Sequence, residues 1–101
     1  MAKGTRKILR RTVKPGEDIV ASMAEGLRAK LLKLIDQGVK VITIDLINVN
    51  AMDVVGLRLL IATSNSLKRS GGELKIKNIC EGISKLLKAM KLDQDFDVIA
   101  V

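Results

Sequence analysis

Two carboxylates and one thiol are the side chains in this sequence whose types and positions could support chemistry. Asp45 closes an apolar run, Asp53 begins a helical pattern, and Cys80 lies near a predicted helix N-terminus, where a thiol pKa can fall. Without histidine, the chain lacks the usual general base at neutral pH and the commonest metal ligand. We therefore interpret Asp45 as a turn-bonding acid, Asp53 as a helix N-cap and Cys80 as a small packing residue. We predict no enzyme, with no catalytic residue, metal or cofactor.

The stretch from Val39 to Gly56 holds both carboxylates and organises the prediction. Its first half, Val39–Leu46, is apolar and rich in β-branched residues, as expected for a strand buried on both faces. Asn48 and Asn50 then mark a turn. A strand that leads through a polar turn into a helix is where α/β proteins place their sites, so we expect the working surface near Asp53.

Length and composition predict one small domain over residues 1–101, with residues 1–5 as a flexible basic tail. Hydrophobic residues make up 48% of the chain but include one aromatic, Phe96, so the core should be aliphatic. No apolar run approaches the roughly 18 residues that span a bilayer, and no apolar segment follows the basic N-terminus as in a secretory signal. A single cysteine excludes an internal disulfide and fits a reducing, cytoplasmic location.

The net charge of +7 is concentrated at the N-terminus. Six of the 18 basic side chains lie in residues 1–14, which hold no acid. The rest of the chain has 12 basic and 11 acidic side chains and is therefore nearly neutral. A basic arm for nucleic acid is one interpretation. An edge strand protected by Lys and Arg against edge-to-edge pairing is the favoured one, because there are no aromatics for base stacking.

The first third of the chain predicts a strand and a helix. Arg6–Val13 alternates weakly and is interpreted as an edge strand, which ends at the turn Pro15–Gly16. Ser22 and Glu25 have the spacing of a capping box, and Gly38 ends the helix. The apolar positions of this helix predict a core-facing stripe: Met23, Leu27, Leu31, Leu34 and Ile35.

A second helix is predicted from about Asp53 to Arg69. Its core stripe comprises Leu57, Leu60, Ile61, Ser64 and Leu67. Its far side comprises Val54, Arg58, Ala62, Asn65 and Arg69. Val54 and Val55 are unusual in a first helical turn, because β-branched residues fit there poorly. They indicate either an exposed contact surface or a hydrophobic staple between helix and strand.

The remaining elements complete an α/β pattern. Gly71–Gly72 predicts a turn and no phosphate loop, since the Lys-Ser/Thr that would complete such a loop is missing. Glu73–Ile79 alternates like a strand with one buried face. A third helix is predicted from Ile79, Ile83, Leu86, Leu87 and Met90, and a last short strand from Phe96, Val98, Ile99 and Val101. We predict an α/β fold with about four strands in a mostly parallel or mixed sheet and three main helices.

The stretch VITIDLINVNAMDVVGLRLLIATSNSLKRSGGELKIKN, followed by KLLKAMKLDQDFDV, resembles the STAS domain, named for sulphate transporters and anti-sigma-factor antagonists. The likeness covers roughly residues 17–99 and depends on the order and spacing of several short motifs. It implies a non-enzymatic binding module in bacterial signalling. Antagonists of this family bind a partner kinase or anti-sigma factor and so release a sigma factor. Phosphorylation of a serine in a D-S-[ST]-G motif at the start of the second helix switches them off.

Carried onto this chain, the family motif shows one departure. Its Asp is Asp53, its Gly is Gly56, and its phosphoacceptor position is Val54, followed by Val55. Neither valine has a hydroxyl, so the resemblance implies a binding surface without this switch. Any phosphorylation would then fall on another hydroxyl such as Ser64, Ser66 or Ser70. The partner-binding residues that we predict are Asp53, Val54, Val55, Gly56, Arg58, Ala62 and Asn65.

The leading prediction is a free-standing, cytoplasmic anti-sigma-factor-antagonist-like protein whose partner is a protein. A STAS scaffold in a chemotaxis or stress-signalling complex is the alternative within the family. A transporter's cytoplasmic domain is less favoured, because no membrane part accompanies the chain. A small basic nucleic-acid-binding protein is the alternative from another class. The residues neither support nor exclude a nucleotide or lipid ligand. Family members often begin with two strands where this chain has room for one, which leaves a homodimer open.

Overall fold

Strands and helices alternate along the chain. The computed structural model describes residues 9–92 and the backbone of residues 97–98. The strands are β1 (Arg10–Val13), β2 (Val41–Asp45), β3 (Glu73–Lys77) and β4 (Asp97–Val98). The helices are α1 (Ala21–Asp36), α2 (Val54–Arg69) and α3 (Glu81–Ala89). The predicted α/β fold, with four strands and three helices in this order, is confirmed.

The four strands form one sheet in the order β1-β2-β3-β4, and all three described pairings are parallel. Val13 is in register with Ile44, and Ile44 with Ile76. β1 lies at an edge of this sheet, as predicted. A parallel sheet needs a crossover between neighbouring strands, and each described crossover contains one helix. The carboxyl ends of the strands and the N-termini of the helices that follow them therefore meet at the same end of the sheet.

The core is aliphatic, as the composition predicts. Ile42, Ile44, Leu74 and Ile76 are fully buried along one face of β2 and β3. On the other face, Val41 and Asp45 of β2 are also buried, whereas Thr43, Lys75 and Lys77 are half-buried. β2 is thus largely buried on both faces, as predicted, and β3 is fully buried on one. The helices contribute buried leucines, including Leu31, Leu60, Leu67 and Leu87. Each such side chain stabilises the fold by roughly 1.5–3 kcal/mol through its removal from water.

α1 and α2 lie side by side and make the main helix–helix contact of the described chain. Each has 16 residues, which corresponds to a length of about 24 Å. Within the described residues, no helix combines the length and the apolar character that crossing a bilayer requires.

The buried residues of these two helices include Ala24 and Leu27 of α1 and Leu59 and Thr63 of α2. Leu59 and Thr63 were missed, because the sequence pattern predicted only the stripe of α2 that faces the sheet.

The predicted capping box at the start of α1 is wrong. The helix begins at Ala21, two residues earlier than a cap at Ser22 would place its start, and its N-cap residue is Val20, whose side chain cannot accept a hydrogen bond. Ser22 is therefore already helical, and Glu25 instead pairs with Arg28 at 3.4 Å. The oxygen that caps this helix comes from another part of the chain, as described below.

The predicted strands differ from the structure at their ends. The predicted strands Val39–Leu46 and Glu73–Ile79 are shorter, since β2 spans Val41–Asp45 and β3 spans Glu73–Lys77. β1 begins at Arg10, and the first three residues of the predicted strand Arg6–Val13 lie outside the described residues. β4 contains Val98, but Phe96, Ile99 and Val101 are also outside them. The predicted tail at residues 1–5 is not described either, so the domain boundaries of 1–101 stay a prediction.

The double glycine between α2 and β3 forms the predicted turn. Gly71 has a φ of +83°, a left-handed conformation that favours glycine. Gly72 lies close to Lys40, the residue before β2, and a β-carbon at Gly72 would overlap the backbone carbonyl of Lys40. The N–H of Glu73 donates to that same carbonyl at 2.9 Å, which begins the pairing of β3 with β2.

Candidate protein-binding surface

Asp45 stabilises the turn at the carboxyl end of β2. Its side chain is buried, and Oδ1 accepts hydrogen bonds from the Ile47 backbone N–H at 3.0 Å and from Asn78 Nδ2 at 2.8 Å. The bond from Asn78 is the main reason that the pKa of Asp45 lies below its ordinary value, although burial acts in the opposite direction. The interpretation of Asp45 as a turn-bonding acid is confirmed. Asn78, which lies after β3, was not predicted as its partner.

A short backbone pairing joins the residue before α1 to the residues before α2. The Ile19 N–H donates to the Ala51 carbonyl at 3.1 Å, and the Asp53 N–H donates to the Ile19 carbonyl at 3.2 Å. Asp18 Oδ1 accepts from the backbone N–H groups of Asn50 and Ala51 at 2.9 and 3.1 Å. These bonds fix the entry to α2 against the entry to α1.

Asp53 caps two helices with one carboxylate. Oδ1 accepts from the Gly56 N–H of α2 at 2.9 Å, and Oδ2 accepts from the Ala21 N–H of α1, also at 2.9 Å. These two bonds, that of Gly56 first, hold the pKa of Asp53 below its ordinary value. The predicted N-cap of α2 is confirmed. The second bond supplies α1 with the cap that its own sequence lacks.

Gly56 is buried in the first turn of α2, at the point where the two helix entries meet. A β-carbon there would overlap the Ile19 carbonyl oxygen and would lie 2.8 Å from Ile19 Cγ2 and 2.9 Å from Met52 Cγ. Real side chains do not tolerate such separations, so this position requires glycine. Gly56 was predicted as a partner-binding residue, but its burial gives it a positioning role beneath the surface.

The outer side of α2 is exposed where the sequence predicted a contact surface. Val54 and Val55 have exposed fractions of 55% and 44%, and Val54 is the most exposed large apolar residue in the described part of the chain. The staple positions on either side of the N-cap belong to Met52 and Leu57, which are both buried. Val54 and Val55 are thus free of the staple role. The predicted far-side residues Arg58, Ala62, Asn65 and Arg69 are also exposed.

A groove runs between α1 and α2 next to this surface. Its first part, a cavity of about 280 Å³, begins at Ala21 and Val55. Its second part, of about 170 Å³, continues to Leu32 and Ile35 of α1. Arg28, Leu59 and Ala62 line both parts, so the groove is continuous. The sequence does not predict this groove, because the pattern of a single helix does not show which residues of two helices face each other.

The family of this chain follows from a match between residues 2–100 and the family model described as "STAS domain". The chain belongs to the STAS domain family. A relative, the anti-sigma-B factor antagonist of Bacillus subtilis (strain 168), is 35% identical over 74 residues, which cover 73% of this chain and 67% of that protein.

Two solved structures share the fold of this STAS domain. A putative anti-sigma factor antagonist from Thermotoga maritima has a TM-score of 0.83 and 19% identity, covering 94% of this chain and 84% of that one. The anti-sigma factor antagonist SpoIIAA in its unphosphorylated form has a TM-score of 0.76 and 17% identity, covering 97% and 86%. The resemblance inferred from the sequence is confirmed. At these identities the structural likeness concerns the fold.

The three serines within or directly after α2 differ in accessibility. Ser64 is buried, with an exposed fraction of 1%, as expected from its place on the core stripe. Ser66 is half-buried and lines the second part of the groove. Ser70 follows the helix, where its Oγ donates to the Leu67 carbonyl at 2.9 Å. Of these three serines, Ser66 and Ser70 are therefore the accessible ones.

Cys80 occupies a structural position. It is the N-cap residue of α3, it is half-buried against the core, and its Sγ lies 3.8 Å from the Asn50 carbonyl oxygen. Among the described residues, no group of three His, Cys, Asp or Glu side chains could hold a metal ion. Asp18, Asp45 and Asp53 all accept backbone hydrogen bonds, so each has a defined role in the turns around α2.

Proposed function

We propose that this STAS domain is an anti-sigma-factor antagonist that binds an anti-sigma factor with serine kinase activity. The binding surface is the Asp53–Gly56 turn with the outer side of α2. Its exposed residues are Val54, Val55, Arg58, Ala62 and Asn65. The domain acts by occupying its partner in the cytoplasm, so that the partner can no longer hold a sigma factor, and it catalyses no reaction itself.

The observation that carries this proposal is the exposure of Val54 and Val55 in the first turn of α2. Valine is poorly suited to this position for helix formation, and neither side chain joins the core. Two adjacent exposed apolar side chains, one of them beside an apolar groove, are the kind of feature that protein interfaces bury. The B. subtilis relative, an anti-sigma-B factor antagonist, supports the choice of partner.

The surface lacks the hydroxyl that phosphorylation would need at position 54. A phosphate at the start of α2 would place negative charge and tightly held water in the centre of the contact, and both oppose docking. Because valine cannot be phosphorylated, the surface stays competent whatever the kinase activity of the partner. Control of this antagonist then falls to its abundance or to the partner.

The experiment that tests the function uses the full chain as bait for affinity capture from its native cells. Mass spectrometry identifies both the captured proteins and any phosphorylated residues. We expect an ATP-binding anti-sigma factor, with the bait itself unphosphorylated. Adding the purified chain to the purified complex of that anti-sigma factor with its sigma factor should release the sigma factor.

Other outcomes would overturn the proposal. Capture of a chemotaxis or stress-signalling complex, without any anti-sigma factor, would favour a scaffold role for the STAS domain. RNA or DNA that is recovered with the bait and lost at moderate salt would instead indicate a nucleic-acid role for the basic N-terminal region. Arg10 and Arg11 of β1 are exposed, and residues 1–8 lie outside the described structure.

A further inference from the structure

We propose that the groove between α1 and α2 receives an amphipathic helix of the partner whose apolar stripe is flanked by acidic residues. This inference rests on the proposed function, since the helix belongs to the same partner. It extends the contact surface from α2 onto α1 and states the chemistry of the partner segment.

The shape of the groove suits a helix. Its lining includes three alanines, Ala21, Ala24 and Ala62, and such small side chains allow another backbone to approach closely. Apolar side chains continue along it to Leu32, which is 41% exposed, and Ile35. From Ala21 to Ile35, α1 extends about 21 Å, the length of a helix of about four turns. A helix laid in an apolar groove is a common mode of peptide recognition.

The charges around the groove select an acidic partner. Three charged side chains line the groove, the basic Arg28 and Arg58 and the acidic Glu25, so basic groups are in excess. The α2 side of the groove has no acidic residue. Arg58 lines the groove and has no ion-pair partner within the described part of the chain. Arg28 contacts Glu25 at 3.4 Å, but both side chains are largely exposed, so this pair is weak. Both arginines are therefore available to carboxylates on an incoming helix.

Charge and topology argue against occupants from the chain itself. Residues 1–14 carry six basic side chains and no acid, so the N-terminal segment would be repelled by Arg28 and Arg58. A second copy would bring the same basic helices together across a symmetric contact. The C-terminal segment is acidic, but Asp97 and Val98 pair with β3 on the side opposite β2, the strand that α1 and α2 directly precede and follow.

The test uses two synthetic helical peptides, each of about 16 residues, with the same leucine stripe. One has Glu on both flanks of the stripe and the other has Lys. Fluorescence anisotropy measures the affinity of each peptide for the full chain, and amide chemical shifts map the site of binding. The key variant is Arg28→Glu, which lies in the groove but outside the proposed surface of α2. Lys30→Glu is the matched control, because it makes the same charge change at an exposed position of α1 outside the groove.

We expect the Glu-flanked peptide to bind more tightly than the Lys-flanked one and to shift amide signals of both α1 and α2. Arg28→Glu should weaken this binding by about tenfold, whereas Lys30→Glu should change it by less than about twofold. Thermal unfolding of both variants checks that the fold is kept. Equal effects of the two substitutions, shifts elsewhere, or no binding of the Glu-flanked peptide would overturn the proposal.

Two further measurements test the other occupants. Co-sedimentation with vesicles of phosphatidylcholine and phosphatidylglycerol that is lost in Arg28→Glu would assign the groove to an anionic membrane. A dimer in analytical ultracentrifugation that Arg28→Glu dissociates would assign it to a second copy.

Val54 lies outside the lining of the groove, so Val54→Asp tests the surface of α2 independently. With the captured partner, loss of binding in Val54→Asp but not in Arg28→Glu would contradict the groove proposal and leave the proposed function intact.

Discussion

Gly56 lies directly against the backbone carbonyl of Ile19, with no room for a side chain between them. This contact brings the first turn of α2 onto the residue that leads into α1. Asp53 reinforces it by accepting hydrogen bonds from the N-termini of both helices. The proposed binding surface is therefore built on two helices that start from one fixed point.

Replacing Gly56 with alanine should strongly destabilise the domain. The new methyl group would overlap backbone atoms of Ile19, which cannot move aside as a flexible side chain could. We expect a loss of about 1–3 kcal/mol or more in the free energy of unfolding, measured by urea denaturation. Gly26→Ala is the matched control. Gly26 is exposed in the middle of α1 with open space around it, so alanine there should stabilise by about 0.4–1 kcal/mol. A Gly56→Ala variant as stable as the original chain would contradict the close contact.

The two helix entries show how far the sequence could predict this arrangement. The start of α2 was predicted correctly, because its cap is local: Asp53 and Gly56 are three residues apart. The start of α1 was not, because the cap of Ala21 comes from Asp53, 32 residues away. Ser22 and Glu25 have the spacing of a capping box, but the helix starts two residues too early for Ser22 to serve as the cap.

The candidate site likewise combines features within one helix with contacts between distant parts of the chain. The periodicity of one helix placed Val54 on the far side of α2, but it left a contact surface and a hydrophobic staple as alternatives for Val54 and Val55. The structure decides between them, because Met52 and Leu57 occupy the staple positions. The groove depends on how α1 packs against α2, and Asp45 is paired with Asn78, 33 residues away. Periodicity within one segment contains no information on such pairs. The sequence thus predicted the elements, while the contacts between them came from the structure.

Replacing Asp53 with asparagine should remove one of the two caps. The two N–H groups bond to different oxygens of Asp53, Oδ1 and Oδ2. In asparagine one of these positions becomes an NH2 group, which donates and cannot accept from the backbone N–H that it would face. We expect a lower free energy of unfolding at pH 7. Urea denaturation of the original chain and the Asp53→Asn variant at matched pH values measures the difference. If the two have equal stability at pH 7, the double cap does not contribute to folding.

The same comparison should depend on pH with a defined sign. The pKa of Asp53 in the folded chain lies below its ordinary value of 3.8. The stabilisation from its charged form is therefore complete above 3.8 and is lost as the pH falls through the folded-state pKa. The stability difference between the original chain and Asp53→Asn should shrink below pH 3.8. Asp45 also has a lowered pKa, but it is present in both proteins and cancels in the comparison.

Introducing serine at position 54 should create a phosphorylation site. Val54→Ser places an exposed hydroxyl at the first residue of α2, directly after Asp53. With the captured anti-sigma kinase and ATP, we expect intact mass spectrometry to show one phosphate on this variant and none on the original chain. Val55→Ser, one residue further along, is the control for position. A phosphate on the original chain, at Ser66 or Ser70 for example, would show that regulation does not depend on position 54.

The most direct test of the account is the affinity of Val54→Asp for the captured anti-sigma factor, measured by titration calorimetry. Val54 is exposed and aspartate suits a helix N-terminus, so the free energy of unfolding should change by less than about 0.5 kcal/mol. Ala29→Asp adds the same charge at an exposed position of α1 outside the groove and the surface of α2. We predict that Val54→Asp weakens binding by about tenfold or more, while Ala29→Asp leaves it nearly unchanged. An unchanged affinity in a folded Val54→Asp variant would contradict the assignment of this surface as the binding site.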